Sequence, residues 1–444
     1  MRPNELTAGA AAQAIRSGEL TSERLVAACL ERIAEVEPRV GAWTWLDPGH
    51  ALAQARAADA RQRSGAALGA LHGIPVGIKD IFDTADMPTE NGTVLHAGRR
   101  PGEDATPVAL LRAAGAVIMG KTVTAELAVY APGKTTNPHD PRRTPGGSSS
   151  GSAAAVAADM VPLAIGTQTN GSVLRPASYC GVYGFKPTHG AISRHGVLKQ
   201  SLALDHVGVF ARSVDDVALI ARELFAHDGK DPDVPAQMGL ALAGDWHFAR
   251  GQRPRIAFVK TPQWREASAA ARDAFMTLAA RWGEFVHEVE LPSRFASALE
   301  WHRTVMEADL ASSFAAEYAA GKDRLSPTLR GMIERGQRHL AVDYSRARDG
   351  IAALRLALAG LFSQWDAVLT PATTGVAPAG LESTGSPMFC TIWTLCGVPS
   401  ISLPILRGED GMPLGAQIVA ARGNDANLLR IAKWLVQRGE GAAP

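Results

Sequence analysis

The chain is short of cysteine and of long apolar stretches, and each shortage argues against a class of protein. Four cysteines occur in 444 residues, with no Cys-X-X-Cys spacing and no histidine cluster beside them. Buried, reduced thiols are therefore expected, rather than a disulfide scaffold or a zinc site. No apolar run approaches the ~18 residues of a membrane span, and charged residues stand where a signal peptide needs apolar ones. We expect a soluble protein of the cytoplasm.

An excess of charge of either sign is also missing. Lysine and arginine number 45 against 44 aspartates and glutamates, for a formal net charge of +1. This balance predicts neither a nucleic-acid partner nor a charged tail. Only nine of the basic residues are lysines. A lysine inside an apolar run, such as Lys79 after Ile78, therefore stands out.

Helical and strand patterns alternate along the chain. The first 65 residues are predicted to be helical, with one helix capped at Thr21 or Ser22 and stopped by Pro38, and another over 50–63. Apolar runs at 73–78, 116–119 and 161–165 predict buried strands, and helices are predicted from Pro107 and near 152–159. This alternation is typical of an α/β domain with a mixed or largely parallel sheet.

The second half is predicted to contain a smaller helical lobe. Residues 263–362 have a mostly helical pattern, for example at 266–281 and 344–361. Strand patterns return at 365–370 and 411–420, and an amphipathic helix follows at 425–437. The long irregular stretch 124–151 is more typical of a functional loop than of an accidental one.

That loop ends in a Gly/Ser run, Gly146 to Ser152, which has several interpretations. A flexible linker rarely stands between a structured loop and an apolar helix. A phosphate-binding loop needs a lysine directly before its Ser/Thr, and none is here. The pattern G-x-S-x-G around Ser149 formally matches a nucleophile elbow, but the proline-rich residues before it cannot form the strand that such an elbow follows.

A second segment, 161–177, contains a strand pattern that runs into a tight Asn170-Gly171-Ser172 turn. Such a turn can expose one hydroxyl while it aims consecutive backbone N–H groups at a single point. Those are the two parts of an acyl-transfer site, a nucleophile and an oxyanion hole.

Together these segments resemble the amidase signature family. The resemblance rests on GGSSSGSAAAVAA, on GTQTNGS followed by RPA, and on CGVYGFKPT, and it extends to HGIPVGIKD, CGVPSISLP and MPLGAQIVA. It implies a Ser–cis-Ser–Lys triad of Ser172, Ser148 and Lys79, with a cis peptide between Gly147 and Ser148. It also implies one large mixed sheet flanked by helices on both faces. We expect a single domain over 1–444, divided into a helical region 1–65, a signature core 66–230, a helical lobe 263–362 and a return to the core sheet at 363–440.

The chemistry of such a triad constrains its lysine. A serine hydroxyl needs a base, and Lys79 can serve only when it is neutral, which burial at the end of the apolar run 74–78 would favour. Ser148 would pass the proton from Ser172 to Lys79. Ser149, Ser150 and Ser152 are expected to satisfy backbone groups and to cap the following helix.

The oxyanion hole implied by the resemblance comprises the N–H groups of Thr169, Asn170, Gly171 and Ser172. Here the chain departs from the commoner family pattern. Gln168 stands where an acidic residue is usual, Asn170 where glycine is usual, and the arginine comes at Arg175 with Leu174 in its usual place. Asparagine tolerates positive φ, so Asn170 is expected to make the turn.

The resulting functional hypothesis is an amidohydrolase that acts on a small or medium linear amide, not on peptide bonds, through an acyl-enzyme on Ser172. Aryl amides and carbamates stay open as substrates. The alternatives are a glutaminase-type subunit of a tRNA amidotransferase and a catalytically silent binding protein. We expect no cofactor, metal, nucleic-acid or membrane partner, and leave a homodimer open. The substrate pocket is predicted to include residues from 126–131, from 389–393 and from the lobe.

Overall fold

One mixed sheet runs through the described part of the chain, which in this computed structural model comprises residues 2–237, 242, 248 and 252–440. Its eleven strands are β1 (Trp43–Leu46), β2 (Pro75–Lys79), β3 (Val117–Thr122), β4 (Leu163–Gln168), β5 (Tyr183–Lys186), β6 (His206–Ala211), β7 (Ile256–Val259), β8 (Val286–Val289), β9 (Ala367–Pro371), β10 (Ser400–Arg407) and β11 (Pro413–Val419). They lie in the order β1-β3-β2-β4-β6-β5-β10-β11-β9-β7-β8.

Helices flank this sheet. In the described residues they are α1 (Ala8–Ser17), α2 (Ser22–Val40), α3 (Pro48–Arg63), α4 (Thr106–Ala113), α5 (Ser150–Ala157), α6 (Leu174–Cys180), α7 (Val214–Leu224), α8 (Ala269–Arg281), α9 (Ala298–Ser313), α10 (Ala315–Gly321), α11 (Pro327–Gly336), α12 (Ala341–Phe362), α13 (Met388–Leu395) and α14 (Asp425–Glu440). The predicted α/β class with a large mixed sheet is confirmed.

Parallel pairing at the centre of the sheet explains the apolar run before Lys79. β2 pairs in parallel with both β3 and β4, and all five of its residues are buried. A strand covered on both faces is apolar throughout, rather than alternating. Ile78 lies opposite Ile165 of β4, so the two strands end at the same edge of the sheet. Lys79 is thereby brought next to the residues that end β4 and lead into the Asn-Gly-Ser turn.

The N-terminal region contains two departures from the prediction. Thr21 caps α2 as expected, since its side chain accepts a hydrogen bond from the N–H of Arg24. The prediction that Pro38 stops this helix is wrong, because the helix continues to Val40 and closes at Gly41, whose φ is 62°. A proline in the last turn removes only one backbone hydrogen bond, which the end of a helix tolerates. The prediction that residues 1–65 are helical throughout is also wrong, because this region contains strand β1, which pairs antiparallel with β3.

The helical lobe shares a hydrophobic core with the sheet. Side chains of α9, α11 and α12, among them Val305, Leu329 and Leu354, form one buried cluster with Val368 of β9 and Trp393 of α13. The segment 263–362 is mostly helical as predicted, although the sequence pattern did not reveal β8 within it. The division into core and lobe stays a prediction, and the shared cluster favours treating both as parts of one domain.

Two further observations concern the whole chain. All four cysteines are buried and free, as the sequence predicted. Among the described residues, no helix combines the length and the apolar character that crossing a membrane requires.

Candidate active site

Lys79 lies fully buried at the carboxyl end of β2. Its Nζ donates hydrogen bonds to Ser148 Oγ and to Thr167 Oγ1, both at 2.8 Å. Burial lowers the pKa of Lys79 well below its ordinary value, while the nearby carboxylate of Asp205 raises it by a smaller amount. A lysine held by two hydroxyls, with no ion pair to an acid in the described part of the chain, favours its neutral form and can accept a proton.

Ser148 follows a tight glycine turn. Gly146 has a φ of 82°, and a Cβ there would lie 2.8 Å from Cα of Pro176, so both conformation and space require glycine. The peptide bond between Gly147 and Ser148 is cis, as the resemblance implied. Ser148 Oγ lies 2.8 Å from Lys79 Nζ, so it accepts a hydrogen bond from the ammonium and can donate its own proton to the lone pair of the neutral amine.

The other serines of the run serve the backbone. Ser149 Oγ lies 3.2 Å from the Thr167 carbonyl, Ser150 Oγ 3.3 Å from that of Val123 and Ser152 Oγ 2.9 Å from that of Ile165. The expectation that these hydroxyls satisfy backbone groups is confirmed. The expected cap is wrong, because Ser149 at the N-cap of α5 makes no side-chain capping bond. Its hydroxyl is already used on the adjacent strand β4.

Ser172 lies in the turn that links β4 to α6. It keeps 8% of its surface exposed, whereas Ser149 keeps none, so Ser172 is the more accessible of the two serines. No hydrogen bond joins Ser172 Oγ to Ser148 among the described residues. The backbone N–H groups of Thr169, Asn170, Gly171 and Ser172 donate to no acceptor in the described ranges. Four consecutive free donors are what a developing oxyanion needs.

Gln168 supports this turn from inside. Its Oε1 accepts hydrogen bonds from the N–H groups of Val173 and Leu174, at 2.8 and 3.0 Å. Its Nε2 donates to Thr394 Oγ1 at 2.9 Å. The amide therefore satisfies two donors at the start of α6 with its oxygen, which a carboxylate could also do, and adds a donor that a carboxylate lacks. This accounts for glutamine at a position where an acidic residue is usual.

Asn170 extends its side chain from the turn towards Tyr130 and Thr391. Its Nδ2 donates to the Tyr130 hydroxyl at 2.9 Å, and its Oδ1 accepts from Thr391 Oγ1 at 2.7 Å. Neither Asn170 nor Gly171 has a positive φ, so the expected left-handed turn at Asn170 is wrong. The turn does not need a left-handed residue at this position, and the asparagine is explained by its side-chain contacts.

Arg175 lies one position later than the family pattern puts its arginine, yet it still contacts the glycine turn. Its Nη2 donates to the Gly147 carbonyl at 2.6 Å and to Thr384 Oγ1 at 3.0 Å. It is fully buried and has no acidic partner within the described ranges, and burial lowers its pKa. Arg175 thus ties the segment after Ser172 to the segment before Ser148.

A cavity of about 510 Å³ opens beside the turn. Its wall includes Tyr130, Asn170 and Thr391 from the core and Leu299, His302 and Met306 from α9. All three segments predicted to line the substrate pocket contribute to this cavity, through Tyr130, Thr391 and α9, and its use by a substrate stays a prediction. Phe389 and Trp393 are fully buried core residues instead.

Three residues near the site were not predicted from the sequence. Thr167 Oγ1 accepts a hydrogen bond from Lys79 Nζ, and Asp205 Oδ1 accepts one from the Thr169 hydroxyl at 2.7 Å. His302 donates from Nε2 to the Thr169 carbonyl at 2.9 Å, across 133 positions of sequence. No motif marks His302. Only Thr167, inside the quoted GTQTNGS, carried a signal that could have been used.

The described residues contain no group of three or more His, Cys, Asp or Glu side chains that could hold a metal ion. Of the titratable residues near the turn, Asp205 accepts from the Thr169 hydroxyl and His302 donates to the Thr169 carbonyl. The site thus brings together hydroxyls, a buried amine and backbone N–H donors.

Comparison with known proteins agrees with this geometry. A sequence model of the amidase family matches residues 24–429. This chain belongs to the amidase signature family. One subunit of the glutamyl-tRNA(Gln) amidotransferase of Chloroflexus aggregans is 36% identical over 472 aligned positions, covering 96% of this chain and 95% of that protein. A putative amidase, AmiD, of Mycobacterium tuberculosis is 34% identical and covers 94% and 91% respectively.

The fold is shared with solved amidases. The peptide amidase of Stenotrophomonas maltophilia superimposes with a TM-score of 0.84 at 31% identity, covering 99% of this chain and 98% of that one. Membership of the amidase signature family assigns the chain to enzymes that act on carbon–nitrogen bonds. The relatives include both hydrolases and one chain of an amidotransferase, so membership alone does not choose between them.

Proposed function

We propose that the chain is a stand-alone amidase that hydrolyses the C–N bond of a small or medium linear amide through an acyl-enzyme on Ser172. The single observation that carries the proposal is the environment of Lys79. Among the residues that the structure describes, this lysine is fully buried, forms no ion pair with an acid and is hydrogen-bonded to Ser148, and the four N–H groups of the adjoining turn have no acceptor. A base, a relay and an oxyanion hole are the parts that amide hydrolysis requires.

In the proposed mechanism, Ser172 Oγ attacks the amide carbonyl and gives its proton to Ser148 Oγ. Ser148 passes its own proton to Lys79 Nζ, which becomes an ammonium. The N–H groups of residues 169–172 stabilise the negative oxygen of the tetrahedral intermediate. When the C–N bond breaks, the same relay returns the proton to the departing amine, and water then hydrolyses the acyl-enzyme by the reverse path.

The cavity suggests the shape of the substrate. Met306, Met332 and Met388 contribute flexible apolar surface to its wall. Asn170 belongs both to the wall and to the turn. A substrate with an apolar group in the cavity would therefore bring its carbonyl towards the free donors. Aryl amides and carbamates fit this description as well as alkyl amides do. The proposal includes the cytoplasm as compartment, since the cysteines have no disulfide pattern.

A glutaminase-type chain of an amidotransferase complex is the second candidate. It is favoured by the relative from Chloroflexus aggregans, which covers nearly the whole chain. Two residues argue against this candidate. Gln168 stands where the commoner pattern has an acidic residue, and Arg175 lies one position after the usual arginine. Such a protein would need partner chains, whereas a stand-alone amidase would not, and this difference is measurable.

The first prediction is that Ser172 is the nucleophile. A tagged fluorophosphonate should label the wild-type chain, and Ser172→Ala should abolish both labelling and hydrolysis across a panel of amides, carbamates and esters. Ser149→Ala is the matched control, because it belongs to the alternative G-x-S-x-G pattern. We expect Ser149→Ala to stay labelled at Ser172, although more slowly, since Ser149 supports Thr167. Labelling that persists in Ser172→Ala and disappears in Ser149→Ala would show that Ser149, in the G-x-S-x-G pattern, is the nucleophile instead.

A further inference from the structure

Three consecutive backbone carbonyls of the turn each accept a hydrogen bond. The Thr169 carbonyl accepts from His302 Nε2 at 2.9 Å, and the Asn170 carbonyl accepts from Thr394 Oγ1 at 2.5 Å. The Gly171 carbonyl accepts from the N–H of Arg175 at 2.9 Å. Each of these peptide groups carries, on its opposite side, one of the N–H groups that find no acceptor in the described residues, those of Asn170, Gly171 and Ser172.

Peptide planarity makes this arrangement directional. The C=O and N–H of a trans peptide point in opposite directions, so a hydrogen bond that fixes the carbonyl also fixes the direction of the N–H. A hydrogen bond to the carbonyl also polarises the amide and strengthens its N–H as a donor. The groups that donate to the three carbonyls therefore determine where the free N–H groups of the turn point. They also determine how strongly those N–H groups bind an oxyanion.

Of the three donors, His302 is the one that comes from the helical lobe. It lies in α9, is buried to 2% exposure, and is the sole described side chain of 263–362 that hydrogen-bonds to residues 168–172. A carbonyl only accepts, so the ring nitrogen that faces it, Nε2, must carry the proton. Burial lowers the pKa of His302 to about 4, so the ring is neutral at neutral pH.

We propose that His302 is a positioning residue of the oxyanion hole, which holds the Thr169 carbonyl so that the N–H of Asn170 points at the substrate oxygen. This inference rests on the proposed role of the turn as the oxyanion hole. His302 touches no reacting atom. It acts through the Thr169–Asn170 peptide alone, and any side chain that presents an N–H at the same point should replace it.

The position of His302 also couples substrate binding to this donor. Leu299 and Met306, on the same helix, belong to the wall of the cavity that His302 itself lines. A displacement of α9 would move the cavity wall and the hydrogen bond to Thr169 together. The lobe thus contributes to the proposed chemistry as well as to the shape of the pocket.

Two amide side chains of different reach test the proposal. The amide nitrogen of glutamine can occupy the position of histidine Nε2, whereas that of asparagine reaches only the position of Nδ1. The rate of fluorophosphonate labelling at several probe concentrations separates the binding constant KI from the chemical step kinact. His302→Asn and His302→Leu should lower kinact about 10- to 100-fold with KI nearly unchanged, since one donor is misdirected but not deleted. His302→Gln should restore kinact to within about 3-fold of wild type.

Glu300→Ala is the matched control, because Glu300 is exposed on the same helix, lies outside the cavity wall and hydrogen-bonds to no residue of the turn in the described ranges. We expect it to leave kinact unchanged. Equal kinact in His302→Asn and His302→Gln, whether both normal or both low, would overturn the proposal, since a structural role does not depend on reach. The comparison of these two variants stays decisive if His302→Leu does not fold. Failure of the wild-type chain to be labelled at Ser172 would instead overturn the proposed function.

Discussion

At the scale of single residues, Lys79 determines how activity should respond to pH. Burial lowers its pKa because the ammonium loses hydration that two hydroxyls do not replace. Its neutral form is the proposed base, so kcat/KM should fall as the pH drops through this lowered pKa and Lys79 becomes protonated. The acid limb of the pH profile of kcat/KM, which reports the free enzyme, measures it.

Substitution of Lys79 gives the corresponding prediction for rate. Lys79→Arg should lose nearly all amide hydrolysis, because a guanidinium stays protonated and cannot accept a proton. Lys79→Ala should lose amide hydrolysis more severely than hydrolysis of activated esters, since the oxyanion donors remain and a good leaving group needs no proton. Near-normal amide turnover by Lys79→Arg with an unchanged pH profile would contradict the mechanism.

At the scale of elements, the junction between β4 and α6 depends on Gln168. Gln168→Leu would leave the buried N–H groups of Val173 and Leu174 without an acceptor. We expect it to destabilise the chain by about 2 kcal/mol, the cost of burying polar groups without partners. Urea unfolding at equilibrium measures this loss. Gln168→Glu keeps the acceptor oxygens and should lose less, and equal stability of the two variants would count against the capping role.

The same junction shows how sequence pattern and topology cooperate. Lys79 ends β2 and Gln168 ends β4, and these two strands lie in parallel register. The carboxyl ends of parallel strands meet at one edge of a sheet, which is where α/β folds bind their ligands. The motifs at 72–80 and 166–172 were recognisable separately, but their adjacency follows from the pairing of the strands.

At the scale of the whole molecule, the question is whether the chain acts alone. We predict that the purified chain, without partner subunits and in the presence of EDTA, hydrolyses at least one amide of the panel and is labelled at Ser172. The physical reason is that base, relay and oxyanion donors all come from this one chain and none of them needs a metal ion. Activity that required a partner chain would favour the amidotransferase reading, and activity restored by zinc after EDTA would refute metal independence.

Three of the failures of sequence reasoning share a cause. The pattern of 1–65 concealed β1, which forms because β3 offers it an antiparallel edge. The loop serine Ser149 was predicted to cap α5, yet its hydroxyl is used by the backbone of Thr167, 18 positions away. Asn170 was expected in a left-handed conformation, but contacts with Tyr130 and Thr391 explain it without one. In each instance a partner distant in sequence decided the outcome over a local preference.

The family, the α/β class and the candidate residues Lys79, Ser148 and Ser172 could all be predicted from the order of amino acids. The candidate residues lie in short, recognisable motifs, and the apolar run of the buried strand β2 indicates a strand covered on both faces. The tertiary structure alone decided which groups surround these residues: Thr167 on Lys79, Gln168 beneath the turn, and His302 behind Thr169. Hydrogen bonds and burial depend on distance in space, and residues separated by 133 positions carry no local pattern that brings them together.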